Sequence, residues 1–161
     1  MKYPAVSVIL CLVLLLGCES NMPSFERGDE SNPKKVLISA DDSTFKRNAV
    51  ERLIENLGTD NWYFKVIGTD SLSKVDLERY GAVLLICKMT GGRVEPRTRA
   101  FLEKQQGNSK LILFLTTGGK GSLPDGAQSD IGTVDAVSSP SKGGSVKETS
   151  DTLAALLRTR F

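Results

Sequence analysis

Histidine is absent from the 161 residues, so imidazole bases, His-activated nucleophiles and His-ligated metals are excluded. The groups left for chemistry are carboxylates, hydroxyls, lysines and thiols, and many fall in three short stretches that each follow an apolar run. Ser39-Ala40-Asp41-Asp42-Ser43-Thr44 follows Val36-Leu37-Ile38, Met89-Thr90-Gly91-Gly92 follows the run Ala82 to Cys87, and Thr117-Gly118-Gly119 follows Leu111 to Thr116. Loops that follow strands are where a site would be built, and Gly91-Gly92 and Gly118-Gly119 also read as simple tight turns. Asp41 and Asp42 have two readings: oxygen ligands for a hard cation, or a helix cap whose charge complements the helix dipole. Cys87 reads either as a small buried hydrophobe or as a thiol beside a crevice. Arg93, Arg97 and Arg99 suit either an anion or a solvated helix face.

A further reactive position, Cys18, closes the stretch Leu15-Leu16-Gly17-Cys18. An apolar run from Val6 to Leu16 precedes it, with Lys2 upstream. That run is shorter than the roughly 20 residues a bilayer-crossing helix needs. The motif resembles the lipobox of bacterial lipoproteins. The resemblance implies a signal peptide over residues 1–17, acylation of Cys18, and an exported protein held on the periplasmic or cell-surface face of a membrane. Two or more acyl chains suffice for stable anchoring. Residues 18–33, rich in Ser, Asn, Pro, Gly and charge, read as a flexible tether with a span of about 20 Å. Cleavage would remove Cys11 and acylation would consume Cys18, leaving Cys87 as the domain's thiol and no internal disulfide. Lys and Arg total 21 against 19 Asp and Glu, interspersed along the chain, a balance that points away from nucleic acid.

The elements that would position these loops alternate short apolar strands with helical patterns over residues 34–161, the form of one α/β domain. The pattern predicts strands at Val36–Ile38, Trp62–Ile67, Ala82–Cys87, Leu111–Thr116 and, at an edge, Thr133–Val137. Asp42, Ser43 or Thr44 caps a helix that ends at Gly58, Leu72 to Tyr80 forms a short helix or turn, Pro96 opens a helix through Lys104, and Val146 to Leu157 closes the chain. Gly118 to Gly132 reads as a long loop. Strand number and order of elements fit a three-layer, doubly wound, five-stranded parallel sheet of order 2-1-3-4-5.

The stretch from Tyr80 through Gly119 carries Tyr-Gly-Ala-Val-Leu-Leu-Ile, then Gly-Gly-Arg-Val-Glu-Pro-Arg-Thr-Arg-Ala-Phe-Leu-Glu-Lys, then Leu-Ile-Leu-Phe-Leu-Thr-Thr-Gly-Gly. It resembles the flavodoxin family. That resemblance implies FMN, with Ser39, Ser43 and Thr44 at the phosphate, Met89, Thr90, Gly91 and Gly92 at one ring face, and Thr117, Gly118 and Gly119 at the other. The chain departs from the family in its acidic phosphate loop and in Thr90, which stands near the place of the usual ring-stacking aromatic. Each carboxylate about 4 Å from a phosphate charge costs about 1 kcal/mol in water and about 4 at an effective dielectric of 20.

The segment Val36 to Val50 also resembles the opening strand, acidic pair and first helix of response-regulator receivers. There, Asp41 and Asp42 would bind magnesium. Ile86 stands where the phosphoacceptor aspartate belongs, and Ser138 and Ser139 stand for the lysine before Pro140, so phosphotransfer by that route is excluded. Two functional readings follow. In the first, a membrane-anchored envelope lipoprotein uses a degenerate flavin site to bind a ligand or an envelope protein partner without catalysis. In the second, the domain is an FMN-dependent electron carrier or reductase.

Overall fold

The computed structural model describes residues 21–118, 135–140 and 143–161. The predicted signal peptide, Cys18, Gly119 and most of the expected loop up to Gly132 lie outside them. Seven strands form one sheet: β1 (Phe25–Arg27), β2 (Lys34–Ala40), β3 (Trp62–Gly68), β4 (Ala82–Thr90), β5 (Arg93–Val94), β6 (Leu111–Thr117) and β7 (Asp135–Pro140). Their order is β1-β3-β2-β4-β6-β7, with β5 hung from β4. This corrects the expected five strands. β2, β3, β4, β6 and β7 pair in parallel, while β1 and β5 pair antiparallel with β3 and β4. The two additions are three and two residues long, too short to show a period in the sequence.

Among the described residues, three α-helices flank the sheet: α1 (Thr44–Leu57), α2 (Pro96–Lys104) and α3 (Val146–Arg158). Side chains alternate across the buried strands. Val36, Ile38 and Ala40 of β2 enter a core with Val50, Leu53, Leu153 and Leu157 of α1 and α3. Leu37 joins Val83, Leu85, Leu113 and Leu102 on the α2 side. β4 and β6 are buried on both faces for most of their length, which explains their unbroken apolar runs. Asn56 in α1 donates to Asp151 in α3 at 2.9 Å, and Arg158 donates to the Asn56 carbonyl at 3.2 Å. The β3-to-β4 crossover is two 3₁₀ helices, Thr69–Lys74 and Leu77–Arg79, that bury Leu72 and Leu77.

Residues 21–33, expected to be a tether, are built into the sheet. Met22 is 3% exposed and sits in the α1/α3-side core. Glu26 accepts from Lys65 at 2.9 Å, and the Arg27 guanidinium lies 4.8 Å from the Phe25 ring centroid. Asn32 donates to the carbonyls of Thr59 and Trp62 at 3.0 and 3.1 Å. The composition held too few apolar residues to order itself alone; neighbouring backbone and one buried methionine supply what it lacks.

Candidate functional site

All five parallel strands end on one edge of the sheet. β2 stands between β3 and β4, so the connections leaving β2 and β4 diverge there and open a crevice. α1 begins at this crevice because Ser43, extended at φ −159° and ψ 155°, accepts the Lys46 N–H at 3.3 Å. Helix N-termini attract anions, and here the chain provides its own. Asp41 accepts the Lys46 ammonium, and Asp42 takes Nε and Nη2 of Arg47 in a fork at 2.6 Å each. Hydrogen bonding to Arg47 holds the Asp42 carboxyl below the usual carboxylate range. The Lys46 side chain is 3% exposed and that of Asp41 22%, so the first pair is largely removed from water. Among the described residues, no group of three or more His, Cys, Asp or Glu side chains is arranged to hold a metal.

The predicted phosphate ligands are therefore not assembled as one cradle. Ser43 and Thr44 are exposed at the helix start, but the Ser43 hydroxyl already serves as cap. Ser39 is fully buried and its hydroxyl has no hydrogen-bond partner, so it does not face the crevice as a phosphate ligand must. A phosphate approaching α1 would have to displace Asp41 from Lys46 or Asp42 from Arg47.

The second predicted loop folds back on itself. Thr90 pairs with Arg93 and Met89 with Val94 across the two-residue turn Gly91-Gly92. Both glycines have positive φ, 59° and 75°, as a tight primed hairpin turn demands. Met89 packs on the α2-side core, whereas Thr90 and Gly91 are exposed. In the third loop Thr117 is buried and Gly118 exposed. None of the described residues 41–44, 89–93 or 117–118 is aromatic, so these loops hold no ring to stack on an isoalloxazine. Trp62, with Phe64 at 5.9 Å and Phe161 at 5.1 Å between ring centroids, lies at the opposite edge of the sheet. The described site does not fit a tightly held FMN.

Sequence reasoning missed Glu95. Its two carboxylate oxygens cap α2, accepting the Arg97 and Thr98 N–H groups at 3.1 Å each and the Thr98 hydroxyl at 3.2 Å. An acid directly before Pro96 at the helix start was the available signal. Burial pushes the Cys87 thiol up to about 12, against the Lys46 charge and a hydrogen bond with Thr98, which favour the thiolate. At neutral pH it is a protonated, buried, unreactive group, the hydrophobe reading. Ile86, at the receiver phosphoacceptor position, is fully buried.

A cleft of about 360 Å³ lies beside these loops, between the first 3₁₀ helix and α2. Leu72 and Phe101 contribute apolar surface, and Asp70, Arg97 and Lys104 contribute charge. Its volume falls in the range of small-molecule sites, about 300–1,000 Å³. It exists because the β3-to-β4 crossover uses short 3₁₀ turns where a full helix would have covered the sheet.

The doubly wound sheet with helices on both faces is a flavodoxin-like fold. A flavodoxin from the domain Archaea superposes with a TM-score of 0.54 at 13% identity, covering 79% of this chain and 98% of that one. The rubredoxin oxygen:oxidoreductase of the anaerobe Desulfovibrio gigas gives 0.51 at 16% identity over 83% of this chain. A mutant flavo di-iron protein from Thermotoga maritima gives 0.51 at 11% over 84%. The chain spans 37% and 38% of the length of these last two. At such identities the likeness is one of fold. No family model matches the sequence, and no curated protein matches it.

Proposed function

We propose that the protein is an exported envelope lipoprotein, acylated at Cys18, whose flavodoxin-like domain binds a ligand or partner without catalysis. The observation that carries the non-flavin reading is the pair of internal ion pairs, Asp41 with Lys46 and Asp42 with Arg47. They use the cations and the helix N-terminus that a phosphate would need. The cleft between the first 3₁₀ helix and α2 supports a binding role, since it joins apolar surface to a charged rim.

A second reading, an FMN-binding electron carrier, is favoured by the names of two of the similar structures, a flavodoxin and a flavo di-iron protein. The parallel strands, taken without β1 and β5, also follow the order 2-1-3-4-5. Titrating the domain from Asn21 with FMN, with riboflavin as the phosphate-free control, separates the two. Flavin fluorescence should remain unquenched by the native domain. Asp42→Ala should gain FMN but not riboflavin affinity, because it frees the exposed Arg47 and the α1 N-terminus while Lys46 keeps Asp41. Saturable quenching of FMN by the native domain would make the electron-carrier reading the correct one.

A further inference from the structure

The chain enters the described structure at the same edge of the sheet as the crevice. Asn21 bridges to Asp41 and accepts the Thr69 hydroxyl at 3.1 Å. The Met22 N–H donates to the Ala40 carbonyl at 3.3 Å, and its side chain is buried in the core. A Cβ at Gly68 would meet the Asn21 side chain at 2.7 Å, so the absence of a side chain there lets Asn21 lie against the end of β3. The first fixed residues thus sit between the carboxyl ends of β2 and β3. Only Glu19 and Ser20 separate Asn21 from Cys18, and three residue steps reach at most about 10 Å.

We propose that the domain is seated with this edge against a lipid surface, so that the crevice opens toward the headgroups. The inference rests on acylation of Cys18 and deepens that reading by fixing which end of the domain meets the bilayer. The opposite edge of the sheet lies about 23 Å further away, the length of a seven-residue strand such as β2 at about 3.3 Å per residue. A tether of about 10 Å cannot turn that far edge to the membrane while Asn21 and Met22 stay fixed. Charge agrees with the seating. Arg93 and Arg97 are exposed on this edge beside exposed Asp70, while Arg47 is already paired with Asp42, and basic groups are drawn to anionic headgroups. The ligand or partner of the domain would then be met at the membrane surface.

The test uses the full acylated chain in vesicles of phosphatidylethanolamine and phosphatidylglycerol carrying a headgroup nitroxide quencher. A fluorophore is placed at one of two exposed positions, Thr90→Cys on the crevice edge or Ser109→Cys on the far edge. Quenching at Thr90→Cys should exceed that at Ser109→Cys by about twofold or more, given the separation of the edges. A flexible Gly-Ser insert of about 20 residues between Ser20 and Asn21, spanning about 25 Å, should erase the difference while the protein stays on the vesicles. Equal or reversed quenching in the native chain would overturn the seating, and a difference that survives the insert would overturn the short tether as its cause. The mass of the Cys18 peptide separates this from the parent reading. Without acyl chains the lipoprotein reading falls and the seating with it; with them, equal quenching removes the seating alone.

Discussion

Asp41 and Asp42 are neighbours in sequence with unequal physical roles. Asp42 holds Arg47, whose side chain is 54% exposed. Water can replace either partner there, and such exposed pairs contribute little to stability. Asp41 holds Lys46, whose side chain is 3% exposed, and removing Asp41 leaves an ammonium that water cannot reach. Asp41→Ala is therefore expected to destabilise the domain by about 3 kcal/mol, whereas Asp41→Ala with Lys46→Met, which removes both charges at similar volume, should recover most of that loss. Denaturant midpoints of the two variants and the parent measure this. A single variant as stable as the parent would show that Lys46 reaches solvent, and the internal-anion account of the site would fail with it. Neither the pairing nor the burial of Lys46 was legible in the sequence, because both depend on how the turn before α1 folds back on the helix. A cap at Asp42, Ser43 or Thr44 was legible, because its signal is local, and the structure places it at Ser43, whose partner N–H lies three residues on.

Elements whose cause is local were readable, and those that depend on distant backbone were not. The pattern predicts α2 over Pro96–Lys104 and the end of α1 at Gly58, and both stand as expected. β2, β3, β4 and β6 were legible because they bury long apolar runs; β7, described over Asp135–Pro140, runs past the expected end at Val137. β1 was not legible. Its place depends on pairing with β3 and on a turn at Gly28, which has φ 83° and whose Cβ, if present, would lie 2.1 Å from the Trp62 carbonyl oxygen. Gly91 is equally left-handed at φ 59°, but a Cβ there meets nothing within 4 Å. The comparison predicts unequal costs for one chemical change. Gly91→Ala should cost about 1 kcal/mol from the backbone alone. Gly28→Ala should cost clearly more, since the turn must also move off Trp62. Thermal unfolding of the two variants decides it; equal shifts would mean that Gly28 does not hold β1 to the sheet.

At the scale of the whole molecule, the boundary of the folding unit separates the composition of the chain from its architecture. Composition places the start of the domain at Lys34, while packing places it no later than Asn21. Without residues 21–33, β3 becomes the edge of the sheet along Trp62-Tyr63-Phe64-Lys65-Val66, a β-prone apolar segment with one charge. Uncovered edges of that kind pair with other chains. The core also loses Met22, whose burial is worth about 1.5–3 kcal/mol. The hydrogen bonds from Asn32 to the Thr59 and Trp62 carbonyls go as well. A domain starting at Lys34 should therefore unfold at a lower urea concentration than one starting at Asn21, by at least about 2 kcal/mol in stability. It should also associate at concentrations where the longer domain remains monomeric. Urea titration and light scattering of the two forms test both parts. Equal midpoints with equal monomer content would mean that residues 21–33 lie on the sheet without stabilising it. The fixed point at Asn21 would then give way, and the short reach from Cys18 to the crevice edge would no longer constrain how the domain meets a membrane.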